Sequence, residues 1–205
     1  MAVPERSAER DAAVLEVLDL VPVHGWSVAN LARAMPQPNE LDLLFPGGTA
    51  DLIETYCDLA DRQMEEDMMA GDLSITGLTG RVRKAVSLRF ARQRPHRDSI
   101  RRALSVLALP RHGGLGLRIT MRTVDAIWHA AGDRSADFSW YSKRAILAGV
   151  YGATLLFWLR DYGEDDSATL GFLDRRLAMV GGIGKARARL KRGLARFRPG
   201  ARSSI

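Results

Sequence analysis

Apolar residues recur along this chain at intervals of three and four, the spacing that puts them on one face of a helix. Val14, Leu18 and Val21 fall at i, i+4 and i+7, with Val17 and Leu20 widening the stripe, and predict a first helix that His24-Gly25 ends. Ser27 is a good N-cap for a short helix carrying Val28, Leu31 and Met35, which Pro36 closes. Asn39 can cap a third helix, Glu40 to Phe45, before Pro46-Gly47-Gly48 breaks the chain again. Thr49 can cap a long helix to about Ala70, with Leu52, Ile53, Tyr56, Leu59, Ala60, Gln63 and Met64 inward. Helices over about Leu78–Gln93 and Arg97–Leu109 follow, punctuated by Pro95 and Pro110. His112-Gly113-Gly114 reads as a turn, and Leu117–Ala131 as a helix turning Met121, Val124, Ile127 and Trp128 to the core. Asp137–Leu159 is the most apolar helix, and Ser167 caps one more, Ala168–Val180. No alternating strand pattern, heptad array or repeat is present, so nine or ten helices in one domain are expected.

Three short helices before a longer helical body suggest an all-α, TetR-like architecture. Residues 1–48 would form a helix-turn-helix region, 49–180 the body and 181–205 a C-terminal tail. A DNA-reading role is weakly supported. The recognition helix would be Asn39–Phe45, with Glu40 and Asp42 but no Lys or Arg, and Arg33 is the sole cation between Ser27 and Phe45. Phosphate contacts dominate DNA affinity and carboxylates there repel, so a structural relic of the motif is favoured over operator binding, and no nucleic-acid partner is expected.

The 205 residues are 46% hydrophobic, enough for one domain with a substantial core. One cysteine, Cys57, excludes an internal disulfide and fits a reducing compartment. The first seven residues hold no apolar stretch of a secretory signal. The longest nearly apolar run, Ala145–Leu159, is shorter than the ~20 residues of a membrane span. The net charge of +6 is uneven: eight Lys or Arg and no acid lie from Lys185 onward, leaving 22 basic against 24 acidic residues before it. A polyanionic partner would therefore meet the C-terminus.

Catalytic patterns are missing from the sequence. His24, His96, His112 and His129 are scattered outside any metal-ligand spacing. Gly181-Gly182-Ile183-Gly184-Lys185 lacks the spacing and the Ser or Thr of a phosphate loop. No enzyme, metal or cofactor is expected. Three other segments carry binding potential. The first, Trp128–Arg144, interleaves Trp128, Phe138, Trp140 and Tyr141 with Asp133, Asp137, Lys143 and Arg144. This is the composition of an interface hot spot, or of a helix N-terminus with Asp137 at the positive end of the dipole and its aromatics in the core. The second, Ala145–Leu159, mixes Gly149, Gly152, Ala153 and Thr154 with Tyr151, Leu155 and Trp158. It is a helix buried all round, either in a filled core or beside an apolar pocket. The third is the tail 185–198, half of it basic, whose Leu190, Leu194 and Phe197 make a narrow stripe extended by Ala186. It reads as an interfacial helix on anionic lipid, a solvated tail or a nucleic-acid arm.

The stretch Gly132-Asp133-x-Ser135-x-Asp137-Phe138-Ser139-Trp140-Tyr141-Ser142-Lys143-Arg144 resembles the signature of the Coq-nine family of ubiquinone-biosynthesis accessory proteins. Leu147-x-x-Val150-Tyr151-x-x-Thr154 and Thr169-x-x-Phe172-Leu173-x-x-Arg176 fit the same pattern, as do His24-Gly25-Trp26-Ser27 and Leu44-Phe45-Pro46-Gly47. Ser139 and Ser142 stand where Asn and Thr are expected. The resemblance spans roughly residues 12–180. It implies a TetR-like fold that has lost DNA reading, binds isoprenoid lipid and presents quinone precursors to the di-iron demethoxyubiquinone hydroxylase. The fold resemblance further implies a homodimer, and with no targeting peptide visible the chain is expected to be cytoplasmic and peripheral on the inner membrane. Val150, Tyr151, Thr154, Leu155 and Trp158 are the expected lipid contacts. Ile127, Asp137, Trp140, Tyr141, Lys143 and Arg144 are expected at the hydroxylase. Lys185, Arg187, Arg189, Leu190, Lys191, Arg192, Leu194 and Phe197 are expected at an anionic membrane surface. The alternative is a TetR-type regulator with an apolar effector.

Overall fold

Ser7 opens the first helix by accepting the Arg10 amide on its side-chain oxygen at 3.1 Å, satisfying one of the amides a helix start leaves unpaired. The computed structural model describes residues 4–34, 41–72, 77–133 and 139–180, all in helices and their connecting turns. Helix α1 (Ala8–Val17) ends short of the His24-Gly25 stop that the sequence pattern predicts. Pro22 is the reason: it has no N–H for an interior helical bond but is tolerated in a first turn, so a new helix, α2 (Val21–His24), starts around it. Val14, Val17, Leu18 and Val21 all reach the core despite the break. Gly25, at φ 78°, turns the chain. Ser27 then caps α3 (Val28–Ala34) through the Asn30 amide, as expected.

Helix α4 spans Leu41–Leu44, and Asn39 and Glu40 lie outside the described residues. The buried Arg10 guanidinium ties this region together. It donates to the Leu44 carbonyl, to Asp51 and to Thr55 Oγ1 (2.8 Å), and lies over the Phe45 ring. Trp26 donates its indole N–H to the Ser99 carbonyl, and the Ser99 hydroxyl donates to the Leu18 carbonyl, bolting the N-terminal helices to the body.

The body is built on α5 (Gly48–Ala70). Thr49 is not its cap, because its hydroxyl is directed to the Trp26 carbonyl; the chain enters through Gly47, whose amide donates to Asp51. Helices α6 (Leu78–Gln93), α7 (Arg97–Leu107), α8 (Gly113–Ala130), α9 (Ser139–Trp158) and α10 (167–180) surround it, with single 3₁₀ turns at Arg94–His96 and Pro110–His112. Gly113 and Gly114 open α8 rather than forming a turn, so that helix starts one turn earlier than its apolar stripe suggests. Its C-terminus is a Schellman stop: Gly132 sits at φ 77° and Asp133 N–H returns to the Trp128 carbonyl at 3.0 Å. Ser167 is not the cap of α10, since the Asp161 carboxylate takes the Thr169 amide and hydroxyl (3.2 and 2.6 Å) and Asp165 takes the Ser167 amide.

Helix α5 packs most extensively on α8, and α6 and α9 meet through a stack of Tyr151, Phe90 and Trp158. Phe157 and Phe172 stack α9 on α10 at 4.7 Å. Helix α9 is not buried all round: Leu147, Tyr151, Thr154 and Trp158 face inward, whereas Ile146 and Leu156 are 45% and 61% exposed.

Candidate functional site

Where α5, α6, α7, α8 and α9 converge they leave a cavity of about 400 Å³, within the range of small-molecule sites. Helix α7 supplies Ile100, Ala103, Leu104 and Leu107, α8 supplies Leu117 and Ile119, and α9 supplies Leu155 and Leu156. At Gly116 a Cβ would stand 3.6 Å from Leu107, an ordinary contact distance, so α8 and α7 are in packing contact along this wall. Leu117 and Leu156 line the cavity yet are 65% and 61% exposed, which marks its mouth.

The opposite end is polar. Tyr56 and Cys57 reach it from α5, Arg89 and Gln93 from α6, Thr123 from α8 and Tyr151 from α9. Arg89 is buried and pairs with the buried Asp61 at 2.6 Å. Its Nε donates to the Tyr151 hydroxyl at 3.0 Å, and Thr123 donates to the other Asp61 oxygen at 3.1 Å. Burial pushes the Asp61 carboxyl up to about 6 in spite of Arg89 and Thr123. Burial also raises both phenols and pushes the Cys57 thiol up to about 12. Burial alone would lower Arg89, but the Asp61 charge together with Tyr151 and Cys57 outweighs it and holds the guanidinium protonated. At neutral pH the site therefore offers protonated phenols and a thiol that is no thiolate nucleophile. Beside the apolar wall these groups place hydrogen-bonding side chains at one end of the cavity.

The expected lipid contacts divide. Tyr151 and Leu155 line the cavity. Val150 instead lines a smaller apolar groove with Trp128, Ile146 and Leu177. Thr154 is fully buried and donates to the Val150 carbonyl of its own helix. Trp158 is fully buried between Phe90 and Arg97, with its indole N–H on Asp166. None of these three is among the residues that line the cavity.

The expected partner residues divide in the same way. Tyr141 is 72% exposed. Trp140 belongs to α9, and Asp137 lies outside the described residues. Ile127 is fully enclosed, and Arg144 is buried against Asp125, so neither offers its side chain to a partner. Lys143 reaches back 3.3 Å to Asp133 and lies 5.9 Å from the Trp128 ring centroid, fastening α9 to the end of α8. Part of the Gly132–Arg144 signature is thus a helix stop and a staple. The tail residues Lys185, Arg187, Arg189, Leu190, Lys191, Arg192, Leu194 and Phe197 lie outside the described residues.

Sequence reasoning missed Arg89, Asp61, Gln93 and Thr123. A usable signal existed, because Arg89 and Gln93 are i, i+4 on the stripe of Val82, Val86 and Phe90. Among the described residues no group of His, Cys, Asp and Glu could hold a metal ion, and no helix is long and apolar enough to cross a membrane.

The family model described as COQ9 matches residues 114–184. The ubiquinone biosynthesis protein COQ9, mitochondrial, of Rattus norvegicus is 33% identical over 170 residues, covering 78% of this chain and 54% of the rat protein. The Homo sapiens protein of the same name is 32% identical with the same coverage. The Schizosaccharomyces pombe protein is 31% identical over 175 residues, covering 82% of this chain and 68% of its own. The chain thus spans about half the length of the rat and human proteins. Among solved structures, a TetR transcriptional regulator from Nitrosomonas europaea superposes with a TM-score of 0.70 at 22% identity, over 84% of this chain and 98% of the regulator. That likeness shows the fold alone: all-α and TetR-like.

Proposed function

The chain belongs to the COQ9 family, and we propose that it serves ubiquinone biosynthesis as a lipid-binding accessory protein with no bond chemistry of its own. The observation that carries this reading is the apolar cavity with a polar closed end and a leucine-rimmed mouth. A polyprenyl precursor is too apolar to leave a bilayer unaided, since each buried CH₂ is worth ~0.8 kcal/mol. A cavity beside the membrane replaces that burial. The exposed Tyr141 supports a protein partner docking at the start of α9, and we assign that partner as the di-iron demethoxyubiquinone hydroxylase. The basic tail supports attachment to an anionic inner-membrane surface. We read residues 1–48 as a helix-turn-helix that no longer reads DNA, 49–180 as the lipid-binding body and 181–205 as the membrane tail, in a homodimer. Asp42 in a cation-free α4 weighs against the regulator alternative.

The test is organic extraction of the full chain purified without detergent, read by mass spectrometry. A polyprenyl quinone or its precursor should accompany the wild type. It should be lost from Ala103→Trp, which fills the cavity from a wall residue, while the melting temperature stays within a few degrees. Bulk phospholipid alone, at equal levels in both proteins, would overturn the reading.

A further inference from the structure

The Tyr151 hydroxyl accepts the Arg89 Nε hydrogen at 3.0 Å, and its own proton has no acceptor among the described residues. A phenol both donates and accepts, whereas a guanidinium only donates. The contact with Arg89 thus occupies a lone pair of the Tyr151 oxygen and leaves its O–H to donate elsewhere. Tyr151 and Arg89 both line the cavity, and Tyr151 is 5% exposed, so a partner for that proton has to come through the cavity. A buried donor without an acceptor costs about 1–3 kcal/mol, which a ligand oxygen would relieve. The ring is held in place by its stack on Phe90, and Arg89 is held by Asp61 at 2.6 Å.

We propose that the closed end of the cavity is a hydrogen-bond site for a neutral carbonyl or ether oxygen on a ring head group, with Tyr151 as its specificity-determining donor and Arg89 as the residue that positions it. This rests on the lipid-cavity reading and deepens it: the ligand enters head first, and its prenyl chain trails past Leu117 and Leu156 at the mouth. Neutrality of the head group follows from charge. Asp61 already balances Arg89, so a carboxylate or phosphate would bring an uncompensated negative charge into an apolar cavity, which is strongly unfavourable. Free fatty acids and phospholipid head groups are therefore excluded from the closed end, and quinone-type rings are admitted.

Three probes that share a hexyl chain separate the possibilities by isothermal titration: hexyltrimethyl-para-benzoquinone, hexyltrimethylbenzene and heptanoate. Full ring substitution keeps the Cys57 thiol from adding to the quinone. The wild-type chain should bind the quinone about tenfold tighter than the hydrocarbon ring, the scale of one buried hydrogen bond, and heptanoate no tighter than the hydrocarbon. Tyr151→Phe should bring the quinone down to the hydrocarbon's affinity and leave the hydrocarbon unchanged. The infrared carbonyl band of the bound quinone should lie at lower frequency in the wild type than in Tyr151→Phe. A hydrocarbon that binds with no quinone preference, a preference that survives Tyr151→Phe, or heptanoate as the tightest probe would each overturn this inference alone. Failure of the hydrocarbon and the quinone alike to bind the wild type would overturn the cavity reading beneath it.

Discussion

Arg89 and Asp61 carry opposite charges into the middle of a helical body, and each is tolerable only because of the other. Removing one partner of such a pair typically destabilises by about 3–5 kcal/mol, because it strands a buried charge. Asp61 is also the unusual carboxyl of this protein. Burial holds it near 6, above the ordinary 3.8. The folded protein therefore takes up a proton between about pH 4 and pH 6 that the unfolded chain has already released, so the Asp61 contribution to stability falls as pH rises through that window. Glu54 and Asp58 run the other way. Burial would raise them, but hydrogen bonds from Arg118 and Arg122, and from Arg6 and Arg62, outweigh it and hold both carboxyls below their usual range. Their contribution is present above the ordinary carboxylate range and is lost as pH falls through the depressed values. Carbon-detected NMR of the Asp61 carboxyl should give a midpoint of about 6. Arg89→Met should move it higher still and lower the urea midpoint. A wild-type midpoint under pH 4 would mean that the guanidinium overrides burial. None of this was legible from periodicity, which places Arg89 on an inward stripe but cannot say that a carboxylate from another helix waits there.

Helix α9 shows where an apolar pattern under-determines an element. Its run of Ala145–Leu159 has so few polar residues that helical phase cannot be read from it, and burial on all sides was the natural expectation. The packed structure gives it a side: Leu147, Val150, Tyr151, Thr154 and Trp158 inward, Ala145, Ile146, Gly149 and Leu156 outward. Elements with explicit punctuation were legible. Ser27 capped α3, and Pro95 and Pro110 bracketed α7. Punctuation with two readings misled, as at Gly113 and Gly114, which open α8, and at Thr49 and Ser167, whose capping role neighbouring groups took over. The phase of α9 also explains why only Tyr151 and Leu155 of its five expected lipid contacts line the cavity. A direct check is Gly149→Ala. Gly149 is exposed in the helix interior, and a Cβ built there meets nothing within 4 Å. Alanine should stabilise by about 0.5–1 kcal/mol, through helix propensity alone. Melting at two protein concentrations reads the outcome. Destabilisation that grows with concentration would show this face packed against a second copy, where an added methyl clashes.

At the scale of the whole molecule, charge and apolar surface are segregated. Up to residue 184 the chain is nearly neutral, with 22 basic and 24 acidic residues, and many of these are spent on internal pairs such as Arg6–Asp58, Arg62–Asp11 and Arg122–Glu54. The excess charge is concentrated in eight Lys and Arg from Lys185 onward, beside the narrow stripe of Leu190, Leu194 and Phe197. A stripe this narrow adds little to a helical core, so deleting residues 185–205 should leave the urea midpoint nearly unchanged. Vesicle binding should respond strongly, because each basic residue near an anionic surface adds ~1 kcal/mol. The loss should appear on vesicles containing phosphatidylserine or cardiolipin and be small on pure phosphatidylcholine. Binding by the intact chain should weaken steeply between low salt and physiological salt, as the Debye length shrinks to ≈ 8 Å, while the truncated chain's residual binding should not. Extraction of lipid from the purified truncated protein separates attachment from capture, since the described lining of the cavity comes from α5 to α9. Lipid retained with vesicle binding lost assigns the two roles to two parts of one chain. Vesicle binding that survives the deletion at full strength would move the membrane contact onto the body and remove the tail's proposed role.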